Sequence, residues 1–433
     1  MTAESTAIDT SELLEFMFRL GQAYIASGEQ TALVELYLRR MASAYGMRQA
    51  RIVAFPTAIF ISVHDGSQER VTLTQAPTQT LRLDQIADVY TLGEAAQRAE
   101  MTPHEGLERL TELLRKPPRF GTVVAVIGHT ILSVGVALVL MPALHNVAAA
   151  AVLGAIVGAL KALNRNRPIL AAPSSVVSAA LVSVLVFLGV KYDLRVDPQY
   201  AVIPPLVSFL PGAMLTFGMV ELAYGDMVSG ASRLLTGVVE LVLLAFGLAA
   251  GAMLVGYSYE NLADVSRDSV AAPWDSLGPW VGVVVFWIGV YLTFSAPRNS
   301  SWWMLLVLLS AFGAQQLAAA FLNKETSGFF GTLVATPLGY LIQKRFKGPP
   351  SMVTFLPSFW LLVPGAMGLL TVNRMLGDPA QRGGLISVAF VLASIALGTL
   401  VGASLYKWLT ETFDWWELQI GRVGRYFRRG GKR

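Results

Sequence analysis

The sequence predicts a polytopic α-helical membrane protein, built from two inverted five-helix repeats that follow a small cytoplasmic α/β domain. Three observations predict this class. Of the 433 residues, 54% are hydrophobic and 14% are charged, whereas soluble domains carry about 25% charged residues. Charged residues are frequent in 1–119, and long apolar runs then continue to about residue 410. Within those runs, one proline-glycine motif occurs twice at equivalent positions.

The first 119 residues have the composition and periodicity of a soluble α/β domain. Residues 9–28 and 29–46 show the apolar period of helices, and each segment ends at a glycine. Three strands are expected at "ARIVAF", "AIFISVHDG" and "RVTLTQA", followed by helices near 83–100 and 103–116. The chain does not open with a basic segment and an apolar core. A secretory signal is therefore not expected, and the domain is predicted to be cytoplasmic.

His64 and Asp65 are the residues of this domain that most resemble part of a catalytic site. A histidine–aspartate pair needs a nucleophile and an oxyanion hole to act in hydrolysis. The sequence has no G-x-S-x-G elbow, no P-loop, no metal-spaced histidines and no cysteine. Asp-Gly between alternating strands is itself a turn signal. We therefore predict a turn at "HDGSQ", with no catalytic residue, no metal and no cofactor.

Ten apolar runs approach the length of about 20 residues that a membrane helix needs. They form two groups of five, the first within residues 120–257 and the second within 258–410. The eighth run is short and contains Pro337. The runs cover residues 121–141, 147–163, 171–190, 201–221, 234–256, 279–296, 302–322, 328–342, 352–373 and 385–408.

Lysines and arginines near the ends of these runs predict the orientation. The side that carries the N-terminal domain, which includes Lys161 and Arg233, has roughly three times as many as the opposite side. Both ends of the chain are therefore predicted to lie in the cytoplasm. The net charge of +4 fits this pattern rather than nucleic-acid binding. Residues 411–433 mix aromatic residues with arginines, as in a helix lying on the inner membrane surface.

The motif Pro-Gly-Ala-Met occurs at Pro211 and again at Pro364, in the fourth helix of each group of five. The blocks around it, "PPLVSFLPGAMLTFGMVELAYGD" and "PSFWLLVPGAMGLLTVNRMLGD", align at an offset of 153 residues. Downstream, "AFGLAAGAML" aligns with "ALGTLVGASL" at an offset of 151. We interpret the chain as a tandem duplication. Because five is odd, the second copy enters the membrane from the opposite side, and such inverted repeats are typical of secondary transporters.

The two motifs form the predicted transport site. Each proline removes a helical donor, so the carbonyl four residues earlier, Val207 or Trp360, is expected to lose its partner. The following glycine, Gly212 or Gly365, allows the backbone to bend and a ligand to approach. Such breaks persist in a membrane where protein or a water-filled cavity covers them. For each motif, a kink that serves only packing is the alternative.

Other polar residues extend this prediction. Glu240 is the carboxylate well inside an apolar run, which indicates a proton pathway or, alternatively, an internal hydrogen bond. Charges at the ends of the fourth and ninth helices either attract a zwitterion or are simply interfacial. The predicted substrate-binding residues are Pro211, Gly212, Glu221, Asp226, Gln315, Pro364, Gly365 and Arg374, and Glu240 is predicted to couple protons. Further polar lining candidates are Gln316, Ser174, Ser175 and His129.

Two pairs of glycines predict close helix packing rather than a site. Gly247 and Gly251 lie in the fifth run, and Gly398 and Gly402 lie in the tenth. Small residues at this spacing let two membrane helices approach closely.

The N-terminal α/β domain, the ten spans in two groups and the PGAM blocks together resemble the bacterial threonine/serine exporter family in its fused form. The resemblance covers nearly the whole chain, and that family occurs both as one chain and as two separate proteins. It implies export of threonine and serine, coupled to the proton motive force, with protons and the lipid bilayer as partners. It also implies placement in the cytoplasmic (inner) membrane of a bacterium. A membrane-anchored enzyme and a passive channel remain alternatives. The sequence is compatible with a homo-oligomer and does not decide the oligomeric state.

Overall fold

The computed structural model describes residues 9–47, 49–64, 69–75, 81–164, 171–194, 196–257, 276–362, 369 and 383–429. Four helices and three strands form the N-terminal domain, and a helical region follows. The domain consists of α1 (Thr10–Ala26), α2 (Thr31–Ala44), β1 (Arg51–Phe55), β2 (Ala58–His64), β3 (Glu69–Gln75), α3 (Leu83–Ala96) and α4 (Pro103–Arg115). The helical region consists of α5 (Thr122–Leu140), α6 (Leu144–Asn164), α7 (Ala171–Lys191), α8 (Pro198–Ala201), α9 (Ile203–Leu206), a 3₁₀ turn (Val207–Phe209), α10 (Gly212–Ala223), α11 (Met227–Val255), α12 (Gly278–Thr293), α13 (Arg298–Phe321), α14 (Lys324–Arg345), α15 (Ser351–Leu361) and α16 (Gly383–Arg429).

The three strands form an antiparallel sheet in the order β1-β2-β3, as predicted. Ile52 and Ala54 of β1 and Ile59 and Ile61 of β2 are buried, and the residues between them are less so. This alternation places one face of the sheet against α1 and α2. His64 pairs with Glu69 where β2 and β3 begin to run antiparallel, and the predicted turn between these two residues lies outside the described residues. Asp65 lies outside the described residues.

The helices of the domain lie where the sequence predicts, but α3 ends at Ala96, about four residues before its predicted end. The Asp9 side chain accepts a hydrogen bond of 2.8 Å from the backbone N–H of Ser11 at the start of α1. Gly28 and Gly46, which follow α1 and α2, have φ angles of +83° and +88°. Glycine reaches this left-handed region without the penalty that a Cβ brings, so it commonly ends helices.

Among the described residues, six helices are long and apolar enough to cross a membrane, and a bent pair adds a seventh. The six correspond to predicted spans one, two, three, five, seven and ten, and the bent pair corresponds to span four. Helix α12, at the sixth span, has 16 residues, and α15, at the ninth, has 11 described residues. Helix α14 contains the eighth predicted run but is not among the six. The chain is therefore a multi-pass membrane protein, and the total of ten spans remains a prediction.

Glycines set the closest helix contacts in both predicted halves. A Cβ placed on Gly247 would lie 2.5 Å from the carbonyl oxygen of Val176, so α11 packs directly on α7. In the second half, a Cβ on Gly402 would lie 3.0 Å from Pro337 and 3.2 Å from the carbonyl oxygen of Leu333, so α16 packs on α14. Both pairs join the third and fifth helices of a group. The prediction that these glycines serve packing is confirmed.

The N-terminal domain rests on the helical region through the loop between α1 and α2. Glu221, at the end of α10, accepts hydrogen bonds from the backbone N–H (3.0 Å) and hydroxyl (3.3 Å) of Thr31. Glu221 also pairs with Arg233 of α11 at 3.1 Å. Arg233 donates to the carbonyl oxygens of Gly28 (3.4 Å) and Glu29 (2.6 Å). The two charged residues are 1% and 8% exposed. Removing one partner of such a buried pair costs about 3–5 kcal/mol.

Two further contacts join α3 of the domain to the helical region. The backbone N–H of Leu83 donates to the carbonyl oxygen of Phe294, just after α12, at 3.1 Å. The Gln343 side chain of α14 donates to Glu94 at 3.2 Å. The domain therefore contacts three separate parts of the helical region, and these contacts fix its orientation relative to the helices.

Glu29 is a buried carboxylate at this interface. It accepts hydrogen bonds from the Tyr90 hydroxyl and from the backbone N–H of Gln30 (2.9 Å). Burial raises the pKa of the Glu29 carboxyl, although these donors and the charge of Arg233 oppose the rise; Glu221 adds to it.

We expect Glu29→Gln to make the protein's stability less sensitive to pH. Because the Glu29 pKa is raised in the folded protein, the folded chain keeps this proton to a higher pH than the unfolded chain. The associated stability is complete below the unfolded pKa and is lost as the pH rises toward the folded pKa. The amide does not titrate. The variant should therefore gain thermal stability relative to the parent at about pH 8, and this gain should shrink toward about pH 4.

The measurement is the Tm of the full chain in detergent, followed by tryptophan fluorescence across that range. Glu112→Gln, which neutralises an exposed carboxylate of α4, is the control and should show no such trend. Identical pH profiles for the two variants would contradict the expectation.

Candidate functional site

The fourth predicted span consists of two helical pieces that meet at a sharp bend. Ile203–Phe209 and Gly212–Ala223 are inclined by 50° to each other. Between them, Leu210 is extended, with φ −72° and ψ 126°. A residue that precedes proline avoids the helical region, which explains this conformation. Leu210 and Pro211 are both buried, so the break lies inside the protein.

The backbone at the break differs from the expectation that Val207 would lose its partner. The N–H of Leu210 donates to the Val207 carbonyl at 3.2 Å, because residues 207–209 wind as a 3₁₀ turn. Beyond the break, the Pro211 carbonyl accepts from the N–H of Leu215 at 2.9 Å. The proline is thus accommodated by tighter winding, and the expected orphan carbonyl at Val207 was wrong. The equivalent expectation for Trp360 depends on Pro364, which lies outside the described residues.

A lysine from the second span reaches this break. Lys161 lies in α6, within the candidate span Leu144–Asn164. Its amino group donates to the Ser208 hydroxyl at 2.7 Å and lies 4.9 Å from the centre of the Phe209 ring. Among the residues that the structure describes, no carboxylate lies within 4.0 Å of this amino group. The break therefore holds a cation that pairs with a hydroxyl and an aromatic ring.

His129 approaches the same turn from α5. It is 1% exposed, and its Nε2 lies 3.1 Å from the carbonyl oxygen of Pro205. Because a carbonyl only accepts, Nε2 donates and the other ring nitrogen, Nδ1, is left as an acceptor. Within the described part of the chain, Nδ1 has no hydrogen-bond partner. Gly158 faces His129, and Lys161 follows one turn later on α6, so both side chains point to the same turn.

Four predicted site residues lie on α10 or beside it. Pro211 and Gly212 are at the break, close to the turn that Lys161 and His129 contact. Glu221 is at the opposite end of α10, where its carboxylate serves the domain interface. Asp226 is half-buried in the turn before α11. Substrate binding by these residues remains a prediction.

Other predicted residues lie on helices away from the break. Glu240 is half-buried on α11, and no described residue gives it a hydrogen bond or an ion pair. Gln315 is half-buried on α13, whose main neighbours are α14 and α15, and Gln316 is exposed. Ser174 and Ser175 lie on α7, buried and half-buried respectively. Their roles remain predictions.

The second motif, with Pro364, Gly365 and Arg374, lies outside the described residues. The helix that precedes it, α15, ends at Leu361 and packs against α10. The rings of Phe217 on α10 and Phe359 on α15 lie edge to face, 5.1 Å apart. The helix that leads to the second motif thus contacts the helix that follows the first.

Sequence reasoning missed three residues of these sites. Lys161 and Arg233 were treated as markers of orientation, and Ser208 received no role. A signal was available for Lys161, because it lies inside the second apolar run, and a charge within a span commonly marks function. The partners of Arg233 in the N-terminal domain were hidden, because Gly28 and Glu29 are 205 and 204 residues away in the chain.

A hollow of about 550 Å³ lies between α3 and α4 of the N-terminal domain. Its polar lining includes Asp88, Arg109 and Glu112, and Lys116 pairs with Asp88 at 2.9 Å. The Thr91 hydroxyl, which also lines it, donates to a backbone carbonyl of its own helix. The lining of this hollow does not include His64.

The chain is similar to several curated fungal membrane proteins. It is 23% identical over 226 residues to pheromone-regulated membrane protein 10 of Zygosaccharomyces rouxii, covering 46% of this chain and 22% of that protein. An uncharacterised protein of Schizosaccharomyces pombe is 22% identical over 358 residues, covering 80% of this chain and 44% of that protein. Pheromone-regulated membrane protein 10 of Candida albicans is 21% identical over 423 residues, covering 91% and 38% respectively. The chain spans less than half the length of each relative.

No solved structure matches the chain. A family profile described as "Putative threonine/serine exporter" matches residues 15–255, more than half of the chain. The match runs from α1 through the broken helix to the end of α11. It therefore includes the contact of the N-terminal domain with Glu221 and Arg233, and also Lys161 and His129 at the helix break. The chain belongs to this threonine/serine exporter family, ThrE.

Proposed function

We propose that this protein exports threonine and serine from the cytoplasm as a secondary transporter driven by the proton motive force. Membership of the ThrE family is the observation that carries the substrate class and the direction. It also favours a transporter over an enzyme. The placement in the inner membrane of a bacterium rests on the resemblance to the bacterial exporters. The cytoplasmic position of both termini rests on the distribution of lysines and arginines.

The broken fourth span supports the transport path. A soluble substrate needs polar groups at membrane depth, and irregular backbone there is tolerated where it is buried in protein or lines a cavity. The bend of 50° at Leu210–Pro211, with Ser208 and His129 beside it, provides such groups. Discontinuous helices of this kind commonly form substrate sites in secondary transporters.

Ten spans in two inverted halves are part of the proposal. The equivalent glycine contacts, α11 on α7 and α16 on α14, support a duplicated five-helix unit. The first helices of the two halves also pack on each other: a Cβ on Gly128 of α5 would lie 2.7 Å from Leu292 of α12. Domains at 120–257 and 258–410 would then be the two halves, preceded by the domain at 1–119. The basic aromatic tail at 411–433, most of which continues α16, would follow them on the cytoplasmic side.

The test is transport by the purified chain in liposomes, with labelled threonine or serine and an imposed pH gradient. Accumulation above equilibrium that collapses with a protonophore supports the proposal. Equilibration without accumulation would instead indicate a channel. Chemical conversion of the label, seen by chromatography, would indicate an enzyme. No flux of either amino acid would refute the substrate.

We expect Glu240→Gln to abolish proton-driven accumulation while exchange of labelled for unlabelled threonine continues in part. The reason is that Glu240 is an ionisable group on a membrane helix with no described partner to hold its charge, and the amide cannot carry a proton. The measurement is the accumulation ratio and the exchange rate in the same liposomes. Glu112→Gln is the control. Undiminished accumulation in the Glu240 variant would assign this residue a structural role.

We expect Pro211→Ala to slow transport by about tenfold to a hundredfold. Alanine restores a backbone donor and permits a regular helix, so the bend and the side chains around it should shift. The initial rate of threonine exchange is the measurement. Pro297→Ala, at the start of α13, removes a proline that lies at a helix end and should leave the rate unchanged. A normal rate in the Pro211 variant would mean that the motif is only a packing kink.

A further inference from the structure

The charge at the break is not neutralised by the residues that the structure describes. Lys161 donates to Ser208 and lies against Phe209, and neither group carries a negative charge. A lysine within a membrane span usually pairs with an acid, contacts carbonyls or faces a water-filled cavity. Here the amino group has at least two further N–H donors beyond the one that Ser208 receives. Its surroundings are therefore suited to a mobile anion rather than a resident one.

A second buried group beside the break, His129, also indicates a small polar ligand. The Nδ1 atom of His129 is an acceptor without a donor in the described part of the chain. A buried acceptor without a donor is unfavourable, because it has lost the hydrogen bond that water would give it. A ligand that carries a hydroxyl group could satisfy it. Lys161 contacts Ser208 in the 3₁₀ turn, and His129 contacts Pro205 in α9, three positions earlier in the chain. A ligand at this break would therefore lie near both side chains.

We propose that Lys161 binds the carboxylate of the transported amino acid at the helix break, with His129 Nδ1 accepting a hydrogen bond from its side-chain hydroxyl. The identity of the ligand rests on the proposed function, whereas its chemical class, a small carboxylate with a hydroxyl, follows from the two side chains. On binding, the amino group exchanges its contact with Ser208 for the carboxylate. This assigns Lys161 and His129 to substrate binding, a role that the PGAM motif alone does not define.

The test measures binding without transport. The full chain in detergent is titrated with L-threonine and with L-threoninol, in which an alcohol replaces the carboxylate, and the shift in Tm gives an apparent affinity. The parent should bind threonine about tenfold to a hundredfold more tightly than threoninol, as expected for one charge-assisted hydrogen-bonded pair. In Lys161→Met this preference should disappear, and in Lys161→Arg it should persist in part. Lys344→Met, at an exposed lysine of α14, is the control and should behave as the parent.

The change in preference separates binding from a structural role, because a destabilised fold would weaken both ligands alike. L-2-aminobutyrate, which has a methyl-bearing side chain of similar size without the hydroxyl, tests His129: it should bind the parent more weakly than threonine. Equal binding of the two would overturn the role of His129. A Lys161→Met variant that still prefers threonine to threoninol would overturn the role of Lys161.

The outcomes for the site and for the transport function are distinguishable. If the parent transports threonine and Lys161→Met transports it with an unchanged KM, the exporter proposal stands and the site is wrong. If 3-hydroxybutyrate or another small hydroxy acid binds in a Lys161-dependent manner but threonine and serine are neither bound nor transported, the site stands and the substrate is wrong. If none of these carboxylates raises the Tm of the parent, the site is refuted.

Discussion

The missing amide hydrogen of proline is the constraint on which the membrane region depends. In lipid a backbone group without a partner is costly, so a helix with an internal proline must rewind, bend or recruit a side chain. This chain rewinds and bends: residues 207–209 form a 3₁₀ turn, and the two helical pieces are inclined by 50°. The chain also recruits a side chain here, because the Pro205 carbonyl accepts a hydrogen bond from His129. The polar character of the break follows from these responses.

The glycines of neighbouring helices determine which side chains can reach the break. Gly158 lets α6 approach α5 beside His129, and this approach brings Lys161 to Ser208. A larger residue at position 158 would separate the two helices. The small residues thus contribute to the site without touching a ligand, since they reduce the distance that a lysine side chain has to span. Packing and binding are therefore specified by the same short segments.

The buried pair Glu221–Arg233 connects this region to the N-terminal domain in a different way. An exposed ion pair contributes little to stability. This pair is buried. Glu221 also accepts from the backbone N–H and the hydroxyl of Thr31, and Arg233 also donates to the carbonyl oxygens of Gly28 and Glu29. The loop itself requires Gly28 with φ +83°, so a single glycine conformation presents two carbonyl oxygens to one guanidinium group. Three of these four hydrogen bonds use backbone groups of the N-terminal domain, so this contact depends mainly on the backbone of the domain.

The sequence predicted most elements of the fold because local signals determine them. Helix ends at Gly28 and Gly46, the three strands and the apolar runs all follow from periodicity and turn residues. The Pro211 break was predicted as well, but its backbone solution was not, since the 3₁₀ turn depends on how the neighbouring helices pack. Lys161 and Ser208 are 47 residues apart, and Thr31 and Glu221 are 190 apart. Such pairings arise from the tertiary arrangement, and no local pattern in one sequence reveals them.

Helix α10 joins the two features that have been described separately. Gly212 at its start borders the break, and Glu221 near its end is fastened to the domain, about 14 Å away at 1.5 Å per residue. A helix of this length moves as a rigid rod. Because α10 joins the two features, we expect a displacement of the α1–α2 loop to change the angle between the two helical pieces that meet at Pro211. An antibody fragment or a small molecule that shifts the seating of the domain would alter the membrane interior without entering it.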